Sequence, residues 1–190
     1  MVLPDDLPVP VDDGAAAHLT GTAMPQLALA ATDGPPFRVD LVPPPARRLV
    51  LYAYPRTGRP GADPLVPDWD AIPGARGCTN ETCAFRDHAA DLARLGAAVA
   101  GLSTQDTGYQ QEAAERLRLP FPLLSDADLR LARALRLPTF EVAGHELLRR
   151  LTLVISDGVI EHAFYPVFPP DRHAEQVRDW LAAHPVRGAG

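Results

Sequence analysis

An almost unbroken apolar run, Leu49-Val50-Leu51-Tyr52-Ala53-Tyr54, lies in the first third of the chain. Such a run, with no regular alternation of polar residues, is typical of a central strand that is buried on both faces. Apolar residues then recur at helical spacing from 79 to 95, and a second small, apolar run follows at 97–103. Two buried strands joined by a helix predict a parallel β-α-β unit, which places the chain in the α/β class.

The remaining segments extend this unit into a mixed sheet. Short apolar or alternating runs predict further strands, at 37–42, 121–124 and 147–155. Asp157-Gly158 is a typical hairpin turn, so residues 159–165 are expected to return antiparallel to the strand before them. Periodic segments predict further helices, at 110–119, 126–135 and 170–181. The predicted fold is a central mixed β-sheet flanked by helices on both faces.

Outside the sheet, the sequence divides into a tail, one domain and a long loop. Residues 1–22 are acidic and proline-rich, then small, which predicts a flexible, irregular N-terminal tail. Residues 23–184 carry the predicted helices and strands, so we expect a single domain there. Within this domain, residues 55–77 are rich in proline and glycine. Loops longer than about 12–15 residues are uncommon and often functional, so this loop is expected to serve the site.

Composition restricts the classes of function. The 190 residues carry a net charge of −6 and include no lysine, because all 18 basic residues are arginine. An acidic chain of this kind disfavours nucleic-acid binding and attachment to an anionic membrane surface. No apolar run approaches the roughly 20 residues of a membrane span, and the first residues do not resemble a signal peptide. A cytoplasmic location is therefore expected.

The only two cysteines, Cys78 and Cys83, stand close together. Cys78 lies where a glycine-rich loop meets the predicted helix, and the free amides and dipole at a helix start favour a thiolate. In an ideal helix, residues five apart have Cα atoms roughly 8.7 Å apart, whereas a disulfide requires less than about 7 Å. The two cysteines can therefore form a disulfide only if the first helical turn unwinds, which indicates a transient bond and not a structural one.

Two other interpretations of the cysteines stay open at this point. Free cysteine is often an ordinary buried hydrophobic residue, and this alternative is stronger for Cys83 than for Cys78. Cys78, Cys83 and His88 are evenly spaced and could be metal ligands. Residues five apart do not share a helix face, however, and no fourth ligand is evident. The expectation is therefore that the site holds no metal.

Five short motifs occur in a fixed order along the chain. They are Tyr54-Pro55, Gly77-Cys78-Thr79-x-Glu81-x-Cys83-x-Phe85-Arg86-Asp87, Gly101-Leu102-Ser103-Thr104-x-Asp106, Leu123-Leu124-Ser125-Asp126 and Arg150-Leu151-Thr152-Leu153-Val154-Ile155. This order resembles that of peroxiredoxins of the AhpC/TSA-like type, and the chain most resembles the bacterioferritin comigratory protein, or Q-type, group. The resemblance covers residues 25–181, nearly the whole chain, and implies a thioredoxin-like fold.

The resemblance also implies the roles of individual residues. Cys78 matches the peroxidatic cysteine, Cys83 a resolving cysteine, and Arg150 an arginine that stabilises the thiolate and the departing oxygen. Oxidation of Cys78 by peroxide would give a sulfenic acid, which Cys83 would convert into an intrachain disulfide. Glu81 is expected to interact with the helix dipole, to orient Arg150, or both.

One part of the family pattern is altered. The proline and the threonine or serine that usually precede the peroxidatic cysteine are replaced by Ala71 and Ala75. The Tyr-Pro pair that normally precedes the cysteine closely ends here at Pro55. The active-site loop at 55–77 is therefore expanded by about sixteen residues relative to the family. Thr57 is the only threonine in the early part of this loop, and it is the candidate for the missing hydroxyl.

Taken together, these residues predict a thiol peroxidase that reduces hydrogen peroxide and organic hydroperoxides without a cofactor. A thioredoxin-type reductant would restore the dithiol, and the intrachain cysteine pair suggests a monomer. Two alternatives remain. A thiol-disulfide oxidoreductase on the same fold normally carries C-x-x-C, which is tighter than the spacing here. A non-enzymatic redox sensor would cycle the same two cysteines without peroxide turnover.

Overall fold

The computed structural model describes residues 3–4 and 6–186. Nine strands and four α-helices are numbered in chain order. The strands are β1 (Ala28–Ala31), β2 (Phe37–Arg38), β3 (Arg48–Ala53), β4 (Ala97–Ser103), β5 (Leu123–Ser125), β6 (Thr139–Val142), β7 (His145–Leu148), β8 (Leu151–Ser156) and β9 (Val159–Phe164). The helices are α1 (Cys78–Arg94), α2 (Thr107–Leu117), α3 (Arg130–Leu135) and α4 (His173–Ala183). In the part of the chain that the structure describes, no helix combines the length and apolar character needed to cross a bilayer.

Seven of the strands form one mixed sheet, in the order β2-β1-β5-β4-β3-β8-β9. The central strands β3, β4 and β5 run parallel, whereas β1, β8 and β9 pair antiparallel with their neighbours. All six residues of β3 are buried, as the apolar run predicts. The carboxyl ends of β3 and β4 lie side by side, so the loop that follows β3 begins next to the end of β4.

Helices cover both faces of the sheet, which confirms the predicted α/β, thioredoxin-like architecture. On one face, Tyr52 and Val50 of β3 pack with Phe85 and Leu92 of α1 and with Val177 of α4. The opposite face forms a second core, in which Leu49, Leu51, Leu153 and Ile155 pack with residues of α3 such as Leu131 and Leu135. The alternation of side chains along β3 and β8 therefore supplies both cores at once.

The predicted strand at 147–155 is wrong as a single element. It divides at Arg149-Arg150, where β7 leaves the main sheet and pairs with β6 in a separate two-stranded hairpin. Apolar residues continue through the break, because the β7 residues Leu147 and Leu148 and the β8 residues are all buried. Periodicity alone could not detect this change of partner.

The N-terminal segment also differs from the flexible tail predicted for residues 1–22. Met1, Val2 and Asp5 lie outside the described residues. Further on, Ala16 and Leu19 are buried in the core on the α3 side of the sheet. The His18 ring nitrogen Nε2 lies 2.9 Å from the carbonyl oxygen of Leu135, and the amide of Gly21 donates to Ile160. Residues 14–22 are packed because small and apolar side chains there cover the second core.

Candidate active site

Cys78 is the first residue of α1, and the backbone at Gly77 fixes its position. Gly77 has a φ of 99°, in the left-handed region that favours glycine. A Cβ atom at this position would lie 2.5 Å from Cγ of Pro170, so a side chain there would also collide with the segment before α4. Any residue other than glycine would therefore displace the start of α1, and with it the cysteine.

The Cys78 sulfur lies in a nearly closed site, since the residue is only 3% exposed. Its Sγ is 3.4 Å from the carbonyl oxygen of Ala75, to which the thiol can donate. The Nη2 group of Arg150 donates to the same sulfur across 3.2 Å. A guanidinium in direct contact with a cysteine sulfur favours the thiolate form electrostatically.

Arg150 is held by contacts with the end of the loop that precedes α1 and with α1 itself. Its Nη2 group also donates to the carbonyl oxygens of Gly74 and Arg76, at 3.2 and 3.1 Å. Its Nη1 group makes a buried ion pair with Oε2 of Glu81, one turn into α1. The structure therefore brings together three residues from distant parts of the sequence, Cys78, Glu81 and Arg150.

Burial and charge act in opposite directions on the Glu81–Arg150 pair. Burial raises the pKa of Glu81 to about 7, and the nearby positive charge of Arg150 opposes this shift. Burial tends to lower the pKa of Arg150, but Glu81 and Cys78 more than compensate, and the net effect raises the pKa. Arg150 is therefore a permanent cation at the sulfur. Glu81 holds it in place, as expected from the sequence, and also lies in the first turn of α1.

The orientation of Arg150 follows from the strand that it precedes. Thr152 lies on the same face of the sheet and is fully buried there. Leu151 and Leu153 point to the opposite face, into the core that α3 covers. This alternation is the one expected if Arg150 faces the cysteine. Arg149 points elsewhere, with its guanidinium 5.9 Å from the centre of the Phe140 ring.

Cys83 lies five residues into α1 and is partly exposed. Both cysteines are free thiols, and both belong to the regular helix that begins at Cys78. The Cys78–Cys83 disulfide therefore stays a prediction. Its formation requires the first turn of α1 to open, as the spacing of the two residues indicates.

Pro55 and Thr57 are buried, but their contacts lie at the start of the long loop. The carbonyl oxygen of Pro55 accepts from the hydroxyl of Ser103, at 3.0 Å. The amide and hydroxyl of Thr57 both donate to Oε1 of Gln105, at 2.8 and 3.1 Å, and the Gln105 amide donates back to the Thr57 carbonyl. Among the described hydrogen bonds of Thr57, none joins it to Cys78. Thr57 therefore binds the start of the loop to Gln105, just after the end of β4.

The rest of the 55–77 loop is anchored through Trp69. A 3₁₀ turn at Trp69–Ala71 buries the indole, which is only 7% exposed. The indole packs with Leu147 and Phe140 of the β6–β7 hairpin. Asp70 and Arg76 form an exposed ion pair of 2.8 Å across the end of the loop. The expanded loop is therefore fixed on the hairpin that the sequence analysis missed.

Two further groups lie near the cysteine. Tyr54 belongs to the Tyr54-Pro55 motif, but the sequence predicted a role for neither Tyr54 nor His173. Tyr54 is fully buried in the same apolar cluster as Cys78, and its hydroxyl has no described hydrogen-bond partner. Burial raises the pKa of Tyr54 well above its ordinary value, so the phenol stays protonated. His173, the first residue of α4, is also fully buried and lies 2.8 Å from the hydroxyl of Thr152. A tyrosine at a strand end and a histidine at a helix start gave no distinctive signal.

The burial of His173 leads us to expect that the free energy of unfolding depends on pH in a specific way. Burial lowers the pKa of His173 to about 4, whereas the same side chain titrates near 6.5 when unfolded. The folded state therefore gains stability that is complete above pH 6.5 and is lost as the pH falls toward 4. We expect this loss to be about 3 kcal/mol. Denaturant unfolding of the wild type and of His173→Gln at pH 7 and pH 4 measures it.

Glu81 changes stability with pH in the opposite direction, but both proteins carry it. The difference in pH dependence between the wild type and His173→Gln therefore isolates the contribution of His173. The pKa of Glu81 is raised, so that carboxyl group favours folding as the pH falls through 7. The His173→Gln protein should lose less stability between pH 7 and pH 4 than the wild type. An identical loss in both would show that His173 does not titrate in this way.

A metal centre was the open alternative for Cys78, Cys83 and His88. Over residues 3–4 and 6–186, no three histidine, cysteine or acidic side chains lie close enough together to hold a metal ion. The ring of His88 instead faces carboxylates, with Nδ1 3.5 Å from Asp91 and Nε2 3.9 Å from Glu175 of α4. Among the described residues, Cys78, Cys83 and His88 are therefore not grouped as ligands of one site.

Comparison with known proteins agrees with this geometry. The family model described as Redoxin matches residues 19–179. Peroxiredoxin Bcp of Escherichia coli (strain K12) is 29% identical over 168 residues, which cover 86% of this chain and 96% of that protein. The chloroplastic peroxiredoxin Q of Gentiana triflora is 27% identical over 183 residues, which cover 94% of this chain and 76% of that protein.

A solved structure shares both the fold and part of the sequence. The crystal structure of peroxidoxin BcpB from Mycobacterium tuberculosis superposes with a TM-score of 0.71 at 29% identity, and covers 90% of this chain and all of that one. The chain belongs to the Redoxin family and is a peroxiredoxin, a thiol peroxidase that resembles the Bcp and Q type.

Proposed function

We propose that Cys78 is the peroxidatic cysteine and that Arg150 is its electrostatic partner. The observation that carries this proposal is the 3.2 Å contact between the Arg150 guanidinium and the Cys78 sulfur. The Cys78 thiolate attacks the terminal oxygen of a hydroperoxide, and the O–O bond breaks as the S–O bond forms. The leaving oxygen takes a proton and departs as water or an alcohol, and Cys78 becomes a sulfenic acid. Arg150 stabilises the charge that moves from sulfur to the leaving oxygen.

Cys83 then resolves the sulfenic acid. Its thiolate attacks the Cys78 sulfur, an S–S bond replaces the S–OH bond, and hydroxide leaves and is protonated to water. Both cysteines lie in regular helix in the reduced protein, so the first turn of α1 must open before this step. Opening breaks the hydrogen bond from the Glu81 amide to the Gly77 carbonyl, which closes that turn.

A thioredoxin-type dithiol restores the enzyme in this proposal. It attacks the Cys78–Cys83 disulfide, and a second attack releases the reduced enzyme and the oxidised reductant. Because both cysteines belong to one chain, the cycle needs no second subunit, and we propose a cytoplasmic monomer as the working form. Hydrogen peroxide and organic hydroperoxides are the proposed substrate class.

The disulfide is the most direct test of this cycle. After one equivalent of hydrogen peroxide, the intact mass should fall by about 2 Da, because disulfide formation removes two thiol hydrogens. A non-reducing gel should show no covalent dimer. The Cys83→Ser protein should still consume one equivalent of peroxide, but its Cys78 should stop at a sulfenic acid that a dimedone-type probe traps.

Turnover separates a peroxidase from a redox sensor. With thioredoxin, its reductase and NADPH, the wild type should consume many equivalents of peroxide. Oxidation that stops after one equivalent would favour the sensor, and a covalent dimer as the main oxidised form would contradict the intrachain disulfide.

A further inference from the structure

The beginning of the chain lies over the site. Leu3 has its Cδ2 atom 3.4 Å from the point that a Cβ of Gly77 would occupy, and the ring of Pro10 lies 3.9 Å from the corresponding point at Gly74. Both glycines belong to the loop that leads into Cys78. We call the described residues Leu3, Pro4 and 6–10 the N-terminal arm. It covers the loop whose carbonyl oxygens hold Arg150.

The arm also forms one wall of the space beside Arg150. Two small cavities are both lined by Gly74, Arg150 and Val167. Pro10 of the arm closes the first cavity, and Leu7 and Pro8 close the second. Both cavities therefore have the arm on one side and the arginine of the site on the other.

The size of these cavities decides what they admit. Each offers a volume of about 10 Å³ to the centre of a water-sized molecule. A single water molecule needs roughly 10–15 Å³ by the same measure. Hydrogen peroxide is only slightly larger than water, whereas an alkyl or aryl hydroperoxide adds at least several carbon atoms. With the arm in this position, the space beside Arg150 suits the smaller molecule.

Arg150 supplies a group that such a small molecule could contact. Its Nε atom is buried and has no hydrogen-bond partner among the described residues, although the other two nitrogens are fully engaged. A buried donor without a partner is costly, and a small oxygen-containing ligand would relieve that cost. Arg150 therefore lines both cavities of restricted volume and also carries a buried donor without a described partner.

We propose that the N-terminal arm is the specificity-determining wall of this peroxidase and favours hydrogen peroxide over bulky organic hydroperoxides. This inference rests on the proposed function. Just beyond the arm, the chain is held by Asp13, whose carboxylate accepts a hydrogen bond of 2.9 Å from the hydroxyl of Tyr165. A bulky hydroperoxide can reach Arg150 and Cys78 only after the arm shifts away from Gly74 and Gly77. The arm thereby limits the rate for large substrates without touching the sulfur.

The test compares two substrates on the same proteins. The measured quantity is kcat/KM for cumene hydroperoxide divided by kcat/KM for hydrogen peroxide. It is determined for the wild type, for a variant lacking residues 2–10 and for Leu7→Ala. Deletion of the arm should raise the cumene-to-hydrogen-peroxide ratio by at least about tenfold, since steric exclusion by a pocket wall is typically worth that much. Leu7→Ala should raise the ratio in the same direction and by less.

A matched control lies on the arm itself. Val9 is 62% exposed and does not line either cavity, so Val9→Ala should leave the ratio unchanged. If the deletion variant fails to fold, as judged by its circular dichroism, the comparison of Leu7→Ala with Val9→Ala decides. A ratio that stays within about twofold of wild type, with hydrogen peroxide turnover intact, would exclude the arm as the filter. A wild type that consumes neither peroxide would instead overturn the proposed peroxidase function.

Discussion

Replacing Cys78 with serine is expected to reduce peroxide turnover to the uncatalysed background. Serine keeps the size of the side chain and the polar group near the Ala75 carbonyl, which the thiol contacts at 3.4 Å. It cannot attack the O–O bond, however, because the hydroxyl is neither ionised at neutral pH nor a soft nucleophile. The fold should be unaffected, so melting temperature and circular dichroism should match the wild type. NADPH consumption in the coupled thioredoxin assay measures the loss.

Cys83→Ser is the matched control, since it removes the other thiol. It should abolish steady-state turnover with thioredoxin and yet keep the first reaction with peroxide, which a stopped-flow experiment follows. A Cys78→Ser protein that retains most of the activity would show that the nucleophile lies elsewhere. Loss of the first reaction in Cys83→Ser alone would reverse the roles of the two cysteines.

The sequence located this chemistry because its signal is local. Cys78 and Cys83 are the only cysteines, and their position at the start of a helix follows from glycine and periodicity over a short segment. The β-α-β unit around them was also predictable, since β3, α1 and β4 each carry a pattern that needs no distant partner. Arg150 was assigned through a family motif, and the structure brings it to the sulfur.

What escaped prediction depends on contacts between distant segments. Leu147 has the same apolar character whether it joins the main sheet or a separate hairpin, so the break before β8 was not visible. Leu19 belongs to an irregular segment, and only the shape of the core shows that it is buried there. Thr57 carried the right functional group, but its hydroxyl is taken by Gln105, 48 positions later in the chain. Local patterns do not specify such pairings.

Arg150→Met should slow the reaction of Cys78 with peroxide by about 10²–10³-fold, the usual effect of removing one donor that stabilises charge in a transition state. Methionine fills the space of the alkyl stem but leaves the sulfur and the leaving oxygen without a cation. Arg149→Met is the matched control. Its guanidinium lies over Phe140, and its Nε donates to the Thr139 carbonyl at 3.2 Å. Only the change at 150 should affect the rate, which stopped-flow measurement at several peroxide concentrations determines.

The ion pair with Glu81 requires a second variant, because Arg150→Met also leaves a buried carboxyl group without its partner. That loss should lower the free energy of unfolding, since breaking one side of a buried pair typically costs about 3–5 kcal/mol. Adding Glu81→Gln to Arg150→Met removes the unpaired acid, and we expect this double variant to regain most of the stability while staying slow. If the double variant regains its free energy of unfolding but still reacts slowly with peroxide, Arg150 has an electrostatic role at the sulfur. A rate that returns together with stability would mean that Arg150 only maintains the fold around Cys78.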